Sequence, residues 1–159
     1  MLGSLMLGTA CAALGAAAAA RLRARCAYLR AWQRALTAMY ASCAFARSTC
    51  AQILRAGAYD VPALRDIAGA VETEGANAAA MLEAKGCGRL LRAEEWTVLL
   101  SVLRALSAGG RGEIGAAIAY GLERFGDFCR DSDRRRDADE RLYVTLGLLS
   151  GVCVFLILW

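Results

Sequence analysis

Residues 29–53 read LRAWQRALTAMYASCAFARSTCAQI. The apolar positions Leu29, Trp32, Leu36, Met39, Cys43, Ala46, Cys50 and Ile53 follow one another at steps of three and four. That is the a and d spacing of a helix with one buried seam. A half-buried strand would alternate every second residue, and this segment does not. The spacing predicts one long helix over residues 21–55 and an all-α fold. Cys43 and Cys50 are then two rungs of one seam, not a metal pair. The seam can pack on sister helices or on another subunit. The later segments also need partners, so sister helices are expected.

The rest of the central region has the same helical character. Pro62 is the only proline, and Ala, Leu, Arg and Glu, all strong helix formers, dominate. Gly57 is placed to close the first helix. Asp60 is placed to cap the second, with Pro62 in its first turn. Leu64, Ile67, Val71, Ala78, Met81 and Leu82 then mark a helix over 61–85, closed by Lys85, Gly86 and Gly88. Trp96, Leu99, Leu100, Leu103 and Leu106 mark a third over 93–108, and Gly109, Gly110 and Gly112 mark the turn after it. A fourth helix, 113–141, carries Ile114, Ile118, Leu122, Phe125 and Phe128, with Gly121 beside Leu122, and runs on toward the C-terminus.

Charge divides the chain into three. All 19 basic and 15 acidic residues lie between Arg21 and Arg141. Residues 142–159 are uncharged and rich in Leu, Val, Ile and Phe. As a helix they extend roughly 27 Å, close to the hydrocarbon thickness of a bilayer. Tyr143 and Trp159 stand at the two ends, where an aromatic belt would put them. Residues 1–20 are uncharged too, but richer in Ala and Gly. A cleaved signal peptide is the rival there, yet residues 1–10 lack the basic n-region that one needs. The expected layout is a membrane-anchored helical bundle: a transmembrane helix at 1–20, a cytoplasmic bundle at 21–141 and a transmembrane helix at 142–159.

Arginine placement sets the orientation. Arg21, Arg23, Arg25 and Arg30 follow the first apolar end, and Arg130, Arg134, Arg135, Arg136 and Arg141 precede the second. The positive-inside rule places the middle in the cytoplasm and both termini outside, in a multi-pass protein of the cell membrane. Within the ends, Gly147 and Gly151 form a GxxxG, and Gly8 and Ala12 begin a line of small residues with Ala16. Such lines let membrane helices pack closely, although small residues are common enough here to fall so by chance.

Chemistry is sparse. The chain has no His, so a Ser–His or Cys–His nucleophile is excluded and a general base near neutral pH is missing. Seven cysteines, Cys11, Cys26, Cys43, Cys50, Cys87, Cys129 and Cys153, include no CxxC pair. Buried reduced thiols are expected rather than a metal site. Phosphate-binding glycine motifs are absent. Glu94 and Glu95 diverge by about 100° on a helix, so they read as an acidic first turn, not a catalytic pair. A net charge of +4 with interspersed acids does not point to nucleic acid. No catalytic residue, cofactor or metal is assigned. The run from Arg130 to Arg141 alternates in sign and can pair with itself at i,i+3 and i,i+4. It can also present Asp131, Asp133, Arg134, Arg135 and Arg136 as a partner surface.

The stretch Glu140-Arg-Leu-Tyr-Val-Thr-Leu-Gly-Leu-Leu-Ser-Gly151, with the apolar tail Val152–Trp159, resembles the end of stage III sporulation protein AB. The hydrophobic start, the Arg-rich helix and Leu-Arg-Ala at Leu29–Ala31 are similar too. The region Ala38–Phe45 lacks the Glu-Ile-x-Tyr and Thr-Pro-Leu elements of that family, and Gly109–Gly112 lacks its Gln-containing pattern. The resemblance implies a component of the channel complex joining mother cell and forespore. It implies a cytoplasmic domain similar to that of the type II secretion inner-membrane platform protein. That domain would dock a secretion ATPase, stage III sporulation protein AA, beside other channel components. A non-enzymatic scaffold with possible homo-oligomers is the expected function. A small pore-former or transporter acting through its two spans is the alternative, disfavoured because neither end carries an ionisable group.

Overall fold

A computed structural model describes residues 2–45, 48–108 and 110–158; the side-chain surroundings of residues 2–9, 11–12, 45 and 111 and of part of 137–158 lie outside that description. Among the described residues the chain is helical throughout, without strands. The helices are α1 (Leu2–Phe45), α2 (Cys50–Gly57), α3 (Ala63–Glu74), α4 (Ala78–Ala84), α5 (Ala93–Ala108) and α6 (Arg111–Leu158). A 3-10 turn at Cys87–Leu90 lies between α4 and α5. The chain divides into two compact units. One is Tyr28–Cys129, and the other joins Met1–Ala27 with Arg130–Trp159.

The seam of residues 29–39 is the centre of the first unit. Leu29, Trp32, Leu36 and Met39 are all buried, against Leu54, Leu64, Leu82, Leu99, Leu103, Ile118 and Phe125 from the other five helices. Burying each such side chain contributes about 1.5–3 kcal/mol. This part of the seam is therefore consumed inside one chain.

The seam does not continue as one helix over 21–55. The first helix ends at Phe45, and Cys50 and Ile53 belong to α2. The cause is local. Thr49 caps α2 and forms a capping box with Gln52: Gln52 N–H donates to Thr49 Oγ1 at 3.4 Å, and Thr49 N–H donates to Gln52 Oε1 at 2.9 Å. Ser48 Oγ donates back to the Ser42 carbonyl at 3.1 Å. Cys43 and Cys50 thus sit on different helices.

The expected helix over 61–85 is also divided. Gly75 takes φ +63°, a left-handed conformation that ends α3. Asn77 starts α4, its side chain accepting from the N–H of Ala79 and Ala80. Asp60 is not the cap of α3. Pro62 occupies that position without a side-chain bond, and Asp60 instead accepts from Arg34 Nε at 2.5 Å, tying the α2–α3 turn to α1. Gly86 at φ +64° turns the chain after α4.

Two more helices start by one device. Glu95 Oε2 accepts from Arg92 N–H at 2.7 Å at the head of α5, and Glu113 Oε2 accepts from Gly110 N–H at 3.1 Å at the head of α6. Each carboxylate reaches back three residues to an orphan donor, the second half of a capping box. Among the described residues, close helix approach is tightest at Gly57 and Gly121. A Cβ on Gly57 would meet Leu64 and Met39, and one on Gly121 would meet Val102.

The long helix α6 has 48 residues and passes unbroken through the charged run into the apolar C-terminal stretch. Among the described residues no helix is long and apolar enough to cross a membrane.

Candidate functional site

The five residues expected to form a partner surface lie on α6, but they do not gather into one patch. Successive residues turn by about 100°. Asp131, Arg134 and Arg135 are exposed, whereas Asp133 and Arg136 are half-buried. Arg135 Nε lies 3.0 Å from Asp131 Oδ2, an i,i+4 pair on the helix's own surface. Asp133 and Arg136 are also engaged. The run satisfies a good part of its charge within itself.

Gly8 and Ala12 lie on α1, and Gly147 and Gly151 on α6. What surrounds them lies outside the described residues, so their packing role stays an expectation.

A contact that sequence spacing did not reveal joins the two segments of the terminal unit. Cys26 Sγ and Ser132 Oγ are 3.1 Å apart, both buried. The contact sits near the end of one segment and the start of the other. Since the unit is compact, its two helices lie side by side and antiparallel. Counting outward, Arg21 is five residues from Cys26 and Arg141 nine from Ser132. At 1.5 Å per residue, the last charges on the two helices differ in height by about 6 Å. The uncharged segments therefore share one band of the unit. Within that band every described side chain of α6 from Leu142 to Leu156 is exposed. Leu142, Leu146, Leu149, Val152 and Leu156 are all more than half exposed, and Leu14 of α1 is 71% exposed. These exposed apolar side chains all lie on the uncharged stretches of the two helices.

In the other unit a shallow groove of about 360 Å³ lies between α1 and α6. Tyr40, Cys43, Ala44, Gly112, Gly115, Ala116 and Ala119 line it. None of these is charged. Apart from the Tyr40 phenol and the Cys43 thiol, the lining is small and apolar. Among the described residues no group of three His, Cys, Asp or Glu side chains could hold a metal.

The described cysteines are free thiols. Only Cys26 and Cys129 are buried; Cys43, Cys50 and Cys87 are half-buried and Cys153 is exposed, which corrects the expectation of uniformly buried thiols. Burial raises the pKa of Cys50 and Cys87 above the ordinary thiol value, and Lys85 partly offsets this at Cys87. These are poor nucleophiles near neutral pH. The Tyr28 hydroxyl donates to the Cys87 carbonyl at 2.8 Å and holds the α4–α5 connection on α1. Burial also raises the Tyr28 pKa, with neighbouring Trp32 acting in the opposite direction. Glu95 is 3% exposed and acts as a helix cap, not as half of a catalytic pair.

The family model for stage III sporulation protein AB matches residues 1–159, the whole chain. The chain belongs to the stage III sporulation protein AB family. No curated protein and no solved structure shows significant similarity to it. Membership in the stage III sporulation protein AB family is consistent with a role in sporulation, and the all-helical fold of the described residues is the one expected from the sequence.

Proposed function

We propose that this chain is a non-enzymatic membrane scaffold of the sporulation channel complex, rooted in the bilayer at both ends. Its central helical unit faces the cytoplasm and docks a secretion ATPase of the stage III sporulation protein AA type. The observation that carries the membrane part is the shared uncharged band on two adjacent helices, with exposed leucines in it. Leaving that surface in water would forfeit about 25 cal/mol per Å² of apolar area. Arginines follow the uncharged stretch on α1 and precede it on α6, which supports cytoplasmic placement of the centre. The ATPase rests on the likeness to the type II secretion platform domain.

Co-purification in detergent tests the reading. The full chain is expected to retain the ATPase. Deleting residues 61–128 is expected to abolish retention while the shortened chain stays with the membrane after carbonate extraction. Undiminished retention without 61–128 would refute the docking role, and release of the full chain by carbonate would refute the anchoring.

A further inference from the structure

Self-pairing within the terminal unit does not reach all of its arginines. Arg23, Arg25, Arg130 and Arg136 are engaged, and Arg135 pairs with Asp131. Arg21, Arg134 and Arg141 are exposed and have no hydrogen bond, ion pair or ring contact among the described residues. Their positions form a pattern. Arg134 and Arg141 are seven residues apart, so they share one face of α6, about 160–180° from buried Ser132. Thr145 and Val152 continue that face into the uncharged stretch, and both are exposed. On α1, Arg21 stands about 140° from buried Cys26. Leu14, seven residues before Arg21, shares its face and is 71% exposed. Each helix thus carries an outward strip that passes from guanidinium to apolar side chain where its uncharged stretch meets the charged one.

Acidic residues leave these strips largely positive. The first acid in the chain is Asp60, so α1 carries none. On α6, Asp131 and Asp133 are engaged, and Asp139 falls about 140–160° from Arg134 and Arg141. Asp137 is the acid beside the strip, about 40–60° from the two arginines. A guanidinium with no carboxylate partner presents paired N–H donors that fit a phosphate bidentately. The uncharged stretches end within about 6 Å of one height. With those stretches in the hydrocarbon, Arg21 and Arg141 stand together at the headgroup level. Arg134, about 10 Å further out, adds to the field that attracts anionic headgroups. An acidic protein surface would match the charge alone. It would not call for exposed apolar side chains on the same strips directly below.

We infer that Arg21 and Arg141, with Arg134 beyond them, hold the phosphates of anionic phospholipid headgroups at the membrane surface. The inference rests on the membrane reading and names the lipid class that the anchored unit selects.

Native mass spectrometry of the full chain tests it. The chain is reconstituted with equal amounts of phosphatidylglycerol and phosphatidylcholine and then released in mild detergent. Phosphatidylglycerol is expected to be retained several-fold over phosphatidylcholine. Arg21→Gln, Arg134→Gln and Arg141→Gln together should bring that ratio close to parity. The same three positions changed to Lys should keep most of the preference, because the charge stays. Arg135→Gln removes one charge from a paired position and should leave the preference intact. Equal retention of the two lipids by the wild-type chain, an undiminished preference in the Gln triple variant, as full a loss in the Lys variant, or as full a loss in Arg135→Gln would each overturn the site. Displacement of phosphatidylglycerol by inorganic phosphate would overturn it too, assigning the arginines to a free anion. So would a Gln triple variant that loses the ATPase but keeps its lipid preference, which would assign the face to a protein. Carbonate extraction of native membranes separates the two failures. A chain released by carbonate overturns the anchoring and the lipid site together, whereas a retained chain without lipid preference overturns the lipid site alone.

Discussion

Gly121 and Val102 approach so closely that a methyl group on Gly121 would stand 2.6 Å from Val102 Cγ2. Val102 is fully buried and β-branched, so it cannot swing aside at low cost. Gly121→Ala gains about 1 kcal/mol in helix propensity but incurs an overpacking penalty of about 1–3 kcal/mol, so it is expected to destabilise. A Cβ at Gly69, in the interior of α3, meets nothing within 4 Å. Gly69→Ala is therefore expected to stabilise by roughly 0.5–1 kcal/mol. Denaturant melts of the two variants should move in opposite directions. Adding Val102→Ala to Gly121→Ala should recover part of the loss, and strict additivity of the two changes would contradict the contact.

These glycines also mark where sequence reasoning stopped. The leucines of α5 and the glycines after them place Ala93–Ala108 plainly, because large apolar residues at helical spacing have few alternative readings. After Phe45 two signals compete in the sequence. Cys43, Ala46 and Cys50 kept the heptad rhythm, but small residues satisfy a period at little energetic consequence. Thr49 and Gln52 carried the capping signal that prevailed. Gly75 and Asn77 did the same inside the expected second helix, where a left-handed turn and an Asx cap outweigh a sparse apolar stripe. The Cys26–Ser132 contact was not legible, because neither residue advertises burial and only the fold joins residues 106 positions apart. The charge boundaries at Arg21 and Arg141 could be read directly, but their nearly shared height needed that contact.

Glu95 should matter far more than its neighbour. It is buried and accepts from Arg92 N–H, whereas Glu94 is exposed. Glu95→Ala leaves an orphan donor at the head of α5 and is expected to cost about 1–2 kcal/mol, as lost caps do. Glu95→Gln keeps an acceptor and should lose less. Glu94→Ala should fall within about 0.5 kcal/mol of wild type. Equal losses at both positions in urea unfolding would show that the cap contributes nothing particular.

Asp66 supplies a pH dependence with a definite sign. Its hydrogen bond and charge contact with Lys85 hold its carboxyl below the ordinary carboxylate range. A depressed folded-state pKa stabilises above the unfolded value, and that contribution vanishes as pH falls through the folded one. The bridge is fully solvated at Asp66, so the effect is small and sensitive to salt. Lys85→Gln should raise the Asp66 titration midpoint toward the ordinary value in carboxyl-detected NMR. The wild-type advantage over Asp66→Asn should shrink on acidification from about pH 5 to pH 2. An unmoved midpoint in Lys85→Gln would mean that the two groups do not interact in solution.

Lys85 should also be readable through a thiol. Burial raises the pKa of both Cys50 and Cys87, but Lys85 lowers that of Cys87. The thiolate is the reacting species, so both thiols should alkylate more slowly than a free cysteine at pH 8 and speed up as pH rises past 9. Removing the cation in Lys85→Gln destabilises the Cys87 thiolate alone. Its alkylation should slow further at pH 8, while the rate at Cys50, which lacks that neighbour, stays unchanged. Mass spectrometry of tryptic peptides after timed iodoacetamide treatment separates the two sites. Equal slowing at both would indicate a change in the opening of the fold rather than in the charge beside Cys87. Since Tyr28 anchors the Cys87 carbonyl, Tyr28→Phe should act through that opening, accelerating Cys87 by freeing the α4–α5 connection.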